Sequence, residues 1–190
     1  MVYVAIIGAF MILNVWMSKE TKKSIDEEID RAIRRNTQEQ QVEEALVRAI
    51  VKKESGNYPF AIKNDKLNLE KQPWFLTAVE KFGFDKSDYR TWSSLGLMQV
   101  LYVVAYDLGF KGKPEQLFVP DIGIMYGCIL LKKLDRNGRS IQEIISRYNQ
   151  GGAYFKDLDG DGIKDPNELY NNQEYVDEVY SYYKDFGGKR

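Results

Sequence analysis

The sequence predicts a mainly α-helical domain, and three observations carry that expectation. Apolar residues recur at helical spacing in one segment after another, as at Val42, Leu46, Ala49 and Ile50. No segment sustains the period-2 alternation of a half-buried strand. The periodic runs stop at turn formers such as Gly56 and Asn137-Gly138. With 190 residues there is room for one ordinary domain and an appendage.

The elements follow in order. Val2 to Met17 is almost wholly apolar, broken by Gly8 and Asn14, and the charged stretch SKETKK comes next. As a helix it would span roughly 24 Å against a hydrocarbon core of about 30 Å. No basic stretch precedes it and no small-x-small cleavage site follows. Residues 1–18 therefore read as a retained hydrophobic anchor ahead of a cleaved signal segment, with a core helix third. Residues 19–41 read as a charged helical stalk. Ile25, Ile29 and Ile33 give it a narrow apolar stripe that suits packing on the body, a coiled contact, or neither. From Val42 the body begins: a helix ending at Glu54, a short helix in PWFLTAVEKFGF, and a Gly turn leading into a buried helix in LGLMQVLYVVAYDLGF. Further helices fall in PDIGIMYGCILLKKL and SIQEIISRYNQGG, and a last one is expected from about Pro166 to Phe186.

Composition excludes several chemistries. There is no His, which removes Ser–His and Cys–His nucleophilic machinery and His-ligated zinc. A formal charge of −1 does not suit a general nucleic-acid binder, which needs a basic surplus. The single Cys128, inside GIMYGCILL, has no partner for an internal disulfide and reads as a buried inert thiol. Acid–base chemistry must come from carboxylates, Lys or Tyr, and the 13 Tyr suit a cleft that stacks on sugar rings as well as they suit a core.

Glu54 is the carboxylate to weigh first. In the last turn of a helix it faces the negative end of the macrodipole, which favours its protonated form. Apolar surroundings would raise its pKa further, as a general acid near neutral pH requires. Position alone proves little, because a Glu at a helix end is usually just solvated.

The order of motifs adds to it. ESGNYPFAIKND, SSLGLMQV, PDIGIMYGCILL, SRYNQGG and a late EYV follow one another, and over about residues 42–180 the chain resembles the SLT family of lytic transglycosylases. That resemblance implies a lysozyme-like fold and activity on peptidoglycan glycan strands. It implies Glu54 as the catalytic acid/base, Ser55 as the neighbouring motif serine, and Met98 and Gln99 as cleft-lining residues. Tyr148 and Asn149 match the pair flanking the acid, and Tyr175 the late cleft tyrosine. The family mechanism uses one carboxyl group: Glu54 protonates the oxygen joining N-acetylmuramic acid to N-acetylglucosamine, then assists the muramoyl 6-hydroxyl in attacking C1, leaving a 1,6-anhydro end. No water is needed, and a hydroxyl on the same sugar has high effective concentration.

Two other readings stay open. A goose-type lysozyme shares GLMQV but hydrolyses the bond, and an inverting hydrolase needs a second carboxylate roughly 6.5–9.5 Å away. Goose-type enzymes place Asp directly after that motif, where this chain has Leu101, and Asp65 and Asp88 match no motif. A non-catalytic wall-binding or assembly protein would keep the fold without the chemistry. Two departures from the family stand out. A long segment between ES and GLMQV is expected to shape one wall of the cleft with Trp74, Phe75 and Trp92, and the Pro common after GLMQ is missing.

The loop DLDGDGIKDPNE, residues 157–168, has the EF-hand pattern. Asp157, Asp159, Asp161 and Glu168 would ligate Ca²⁺ by side chains, Ile163 by its carbonyl, and Asp165 directly or through water, with Gly162 at the sharp turn. Lys164 stands where paired EF-hands are apolar, so a lone structural loop is expected. Asp165-Pro166-Asn167-Glu168 also reads as a helix start with Asp as N-cap and Glu at N3. The expected partners are peptidoglycan strands and, through residues 2–17, a membrane. The expected location is membrane-anchored or exported, acting at the periplasm or cell wall, with a phage virion a further option. Lys19, Lys22 and Lys23 oppose export of the body, since basic flanks favour the cytoplasmic side.

Overall fold

A computed structural model describes residues 19–190 apart from 137, 153, 159–163 and 166–167. The hydrophobic segment expected at 1–18 lies outside the described residues, and among those described no helix is long and apolar enough to cross a membrane. The fold is mainly helical with a small three-stranded sheet. Among the described residues eight α-helices run α1 (Lys19–Gln40), α2 (Glu44–Ser55), α3 (Lys66–Leu69), α4 (Pro73–Phe82), α5 (Tyr102–Asp107), α6 (Pro120–Leu134), α7 (Ile141–Gln150) and α8 (Gln173–Asp185). Strands β1 (Ile62–Asn64), β2 (Ser93–Leu95) and β3 (Val100–Leu101) form an antiparallel sheet in that order, with Lys63 opposite Ser94 and Leu95 opposite Val100.

The main core joins α1, α2, α6, α7 and α8 around Ile33, Ile50, Ile124, Ile144 and Val179, all with almost no exposed surface. Of the roles open to the isoleucine stripe, packing on the body is the one observed. Ile29 and Ile33 are buried in this core, and α1 lies along α6. Its far end is locked by polar contacts: the buried Asn36 amide donates to the Ala32 carbonyl and to Asp121 on α6, and Arg35 pairs with the same Asp121.

The long segment before GLMQV builds a second, smaller core from Leu69, Phe75, Val79, Trp92 and Val103. Phe75 and Trp92 pack there, ring against ring at 5.4 Å, while Trp74 keeps 52% of its surface exposed. The sheet escapes a periodicity search because strands of two or three residues are too short to alternate.

The final helix starts at Gln173, not near Pro166. Tyr154 to Lys156 pairs antiparallel with Leu169 to Asn171 through a Phe155–Tyr170 bridge, which keeps that stretch extended. The cap signature is present, and the described residues that follow it, 168–172, are not helical. Glu168 accepts the Asp165 N–H at 2.9 Å, the back-bond of a capping box.

Candidate active site

Three elements converge on Glu54. Helix α2 delivers it in the last turn, and Gly56 ends that helix in the left-handed region (φ 59°), donating to the Lys52 carbonyl. The half-buried Glu54 carboxyl accepts the Tyr175 hydroxyl of α8 at 2.5 Å. Tyr148 of α7 is close enough for the Glu54 charge to raise its phenol pKa, on top of a larger effect of burial.

Electrostatics favour a protonated carboxyl. Desolvation pushes Glu54 above its ordinary range, and Asp65 adds to the rise, while the Tyr175 hydroxyl, Lys63 and Lys53 pull the other way. Each of those lysines has a carboxylate of its own. Lys53 pairs with Glu178 on α8, and Lys63 with Asp65 at 3.1 Å. Neither cation is therefore dedicated to holding Glu54 ionised, and desolvation dominates. Lys53 also lies over the Tyr175 ring, 5.8 Å from its centroid. Burial first, then the Glu54 charge, holds the Tyr175 phenol well above its usual value, so it stays a donor.

The GLMQ turn forms the neighbouring wall. Gly96 has φ 74°, and a Cβ there would meet the Leu117 carbonyl oxygen at 2.2 Å, so only Gly fits. Gln99 takes φ 47°, uncommon for a residue with a side chain. Its Nε2 donates to the carbonyls of Ala61 at 2.9 Å and Gly96 at 2.8 Å. Ala61 also accepts the Gly96 N–H, so the turn is tied to the chain seven residues beyond Glu54.

The expected site residues fare differently. Glu54, Tyr148 and Tyr175 come together, and Gln99 is joined to them through Met98, whose carbonyl accepts the Tyr148 hydroxyl at 2.7 Å. Met98 itself, expected to line the cleft, has no exposed surface. Its thioether packs where a Cβ on Gly127 of α6 would sit, so its side chain is core and only its carbonyl serves the site. Ser55 donates to the Val51 carbonyl of its own helix and borders a cavity of about 480 Å³ between α1 and the 56–60 loop. Asn149 is exposed, and its Oδ1 accepts the Asn172 amide at 3.0 Å. Cys128 is buried, which pushes its thiol up to about 12 and leaves it inert.

The sequence gives no signal for Glu178 or Asn172, which lie outside every motif and act through partners distant in the chain. Lys63 and Asp65 close the ESGNYPFAIKND segment, and what the sequence does not show is that they pair with each other beside Glu54.

Residues 31–167 match the transglycosylase SLT domain. The chain belongs to the transglycosylase SLT family. Membership implies transglycosylase activity on peptidoglycan, with glycan strands as substrate. The matched region holds Glu54, the GLMQ turn and the Tyr148-Asn149 pair of the SLT domain, whereas Tyr175 lies beyond it and owes its place to geometry. No curated protein and no solved structure matches the chain.

The 157–168 loop sits between α7 and α8, its neck closed by the Phe155–Tyr170 pairing. Of its ligand candidates, Asp159, Asp161 and Ile163 lie outside the described residues. Glu168 keeps only 2% of its surface exposed and accepts backbone N–H groups from Leu158 at 2.6 Å and Asp165 at 2.9 Å. Among the described residues no three acidic side chains converge on a metal position.

Proposed function

We propose that this SLT domain is a lytic transglycosylase of lysozyme-like fold. It would cleave the β-1,4 bond from N-acetylmuramic acid to N-acetylglucosamine and leave a 1,6-anhydromuramoyl end, with Glu54 as sole acid and base. The observation that carries the reading is the desolvated Glu54 carboxyl, held by the Tyr175 hydroxyl and faced by lysines already paired elsewhere. A carboxyl whose hold on its proton is strengthened by desolvation is what donation to a glycosidic oxygen requires.

The steps balance without water. Glu54 gives its proton to the bridging oxygen as the C1–O bond breaks, and the departing N-acetylglucosamine leaves as an alcohol. The muramoyl O6 then bonds to C1 and its proton passes to the Glu54 carboxylate, restoring the acid. Tyr175 donates to the carboxylate when it is charged and so stabilises it in the middle of the cycle. Gln99 and Asn149 would hold the muramoyl N-acetyl group, with Tyr148 and Ser55 keeping their helices in register beside them.

Hydrolysis is the second reading, and the observation favouring it is Asp65, which adds to the rise in the Glu54 pKa from the end of β1. Its pairing with Lys63 ties that carboxylate down and makes it a poor base for water. Release of soluble fragments from purified peptidoglycan by wild type and by Glu54→Gln tests the catalytic role. Loss in the variant supports it, equal release above a protein-free blank would reject Glu54 as the acid, and no release above that blank would leave a wall-binding or assembly role.

The remaining parts fit one arrangement. Residues 1–18 would anchor or export the protein, and the body that acts on the wall, in the periplasm or in a virion, would include the helix expected as a stalk, because α1 packs into its core. The acid-rich 157–168 loop suits Ca²⁺, a hard cation that takes oxygen ligands. Asp157, Asp159, Asp161, Asp165 and Glu168 would hold it with the Ile163 carbonyl, bracing the connection between α7 and α8.

A further inference from the structure

We propose that Glu178 is a positioning residue of the reaction: it engages the Lys53 ammonium and keeps that cation from closing on the Glu54 carboxyl. The proposal rests on the transglycosylase reading and goes beyond it in naming a residue outside every motif.

Lys53 and Glu54 leave the last turn of α2 one after the other, and both reach α8. Glu54 accepts the Tyr175 hydroxyl at 2.5 Å, and Lys53 pairs with Glu178. Tyr175 and Glu178 are three residues apart on one helix, the spacing that places side chains on a common face. Two contacts of opposite polarity therefore join the same two turns: α2 offers a carboxyl and an ammonium, α8 a phenol and a carboxylate. The Glu178 carboxylate is itself held, since its Oε1 accepts the Tyr182 hydroxyl at 3.2 Å while Oε2 takes Lys53. The Lys53 ammonium lies 5.8 Å from the centroid of the Tyr175 ring, so the ion pair borders a side chain that touches the acid.

The surroundings of Glu54 make the placement of that cation matter. Lys53 faces the carboxyl from α2, Tyr175 from α8 and Tyr148 from α7, with Lys63 on β1 and Asp65 just past its end. Both phenols are held above their usual values and stay neutral, so the charged neighbours are two lysines and one aspartate, with Glu178 beside Lys53. Lys63 is engaged by Asp65, two residues along its own chain. The carboxylate that engages Lys53 comes from another helix, 125 positions away, and the lysine holds it below its ordinary range, so it stays charged. Without Glu178 the flexible lysine stem is free to swing its ammonium toward Glu54. An opposite charge within about 4–6 Å favours ionisation, and an acid that loses its proton early cannot protonate a leaving group. The Glu178 charge itself acts in the same sense as its hold on Lys53, because one carboxylate disfavours a second nearby.

The test follows the Glu54 carboxyl of the full chain in two ways. One is the pH titration of its carboxyl carbon resonance, assigned by its loss in Glu54→Gln. The other is the alkaline limb of kcat/KM on purified peptidoglycan. Glu178→Gln should move both to lower pH by roughly half a unit to one unit, a modest shift because the pair is partly exposed and screened. At a fixed pH on that limb the rate then falls by about three- to tenfold. Lys53→Met removes the cation and leaves Glu178 unpaired, so both readings should move to higher pH. That variant carries the test if Glu178→Gln melts too low to assay. Glu178→Asp keeps the charge and should return the limb toward wild type, and added salt should shrink every shift. A purely structural role would lower the rate at every pH and leave the limb in place. An unmoved titration in either variant, or shifts of the same sign in the two, overturns the proposal. A resonance that shifts as stated beside a limb that does not follow it refutes Glu54 as the acid instead, and with it the transglycosylase reading.

Discussion

The two walls of the site are built from different currencies of interaction. On the helical wall, α2 and α8 present side chains to one another: Glu54 meets Tyr175, and Lys53 meets Glu178. On the hairpin wall the motif is mostly backbone and core. Gly96 is there for its φ and its contact with Leu117, Leu97 and Met98 are buried, and Gln99 donates to two carbonyls. The comparison teaches that a single sequence motif mixes residues that face a ligand with residues that hold the turn presenting them. Changes on the helical wall should therefore alter chemistry at little expense to folding, and changes on the hairpin wall should do the reverse.

The sharpest break is Glu54→Gln. Peptidoglycan turnover should fall by roughly 10²–10⁴-fold, the usual contribution of a positioned general acid. Its stability should move the other way. Glu54 binds its proton more tightly in the folded chain than in the unfolded one, so its charge opposes folding once pH rises past the ordinary 4.5. The Glu54-linked stability is whole below that value and is lost as pH rises through the folded pKa. Glu54→Gln should therefore raise the Tm by a few degrees at pH 7 and leave it unchanged at pH 4. A fall in Tm at pH 7 would refute the desolvation account.

Gly96→Ala probes the opposite wall. Its Cβ would lie 2.2 Å from a carbonyl oxygen, at φ 74°. Overpacking of this kind costs about 1–3 kcal/mol and the left-handed backbone about 1–2 more. At roughly 2–4 °C per kcal/mol the loss is large enough to read by calorimetry. A variant that melted like wild type while losing activity would undo the division between the walls.

Tyr175→Phe is the finer probe. It removes the hydrogen bond that favours the ionised carboxylate, so the Glu54 pKa should rise further. The alkaline limb of the pH–rate profile should shift upward, and kcat should drop by about tenfold, the worth of one charge-assisted hydrogen bond. An unshifted limb would show that the bond is structural only. The smallest effect lies outside both walls. A chelator should lower the Tm by several degrees if Ca²⁺ braces the 157–168 loop. An unchanged melt, with no calcium retained, would remove the metal.

Much of the fold is legible in the sequence where periodicity is long. Helices α6 and α7 fall where PDIGIMYGCILLKKL and SIQEIISRYNQ repeat at helical spacing between turns. The strands leave no such signal. The start of α8 misleads for a physical reason: the Asp165 to Glu168 cap forms locally, yet pairing between Phe155 and Tyr170 outweighs the helix that the cap would begin. At the site, motif order points to Glu54, Gln99 and Tyr175. It cannot assign Met98 to the core, because an apolar residue beside a cleft motif reads the same on either side of the wall. Nor can it find Glu178, whose role depends on Lys53, 125 positions away. A charge on a helix surface acquires meaning only from what faces it.

In the proposed reaction one carboxyl group, with no activated water, both donates and recovers the proton. Mass spectrometry of the fragments that wild type releases from purified peptidoglycan addresses it most directly. The account predicts muramoyl termini lacking one water relative to reducing ends, the 1,6-anhydro product. Reducing termini as the main product would contradict it and would move attention to Asp65.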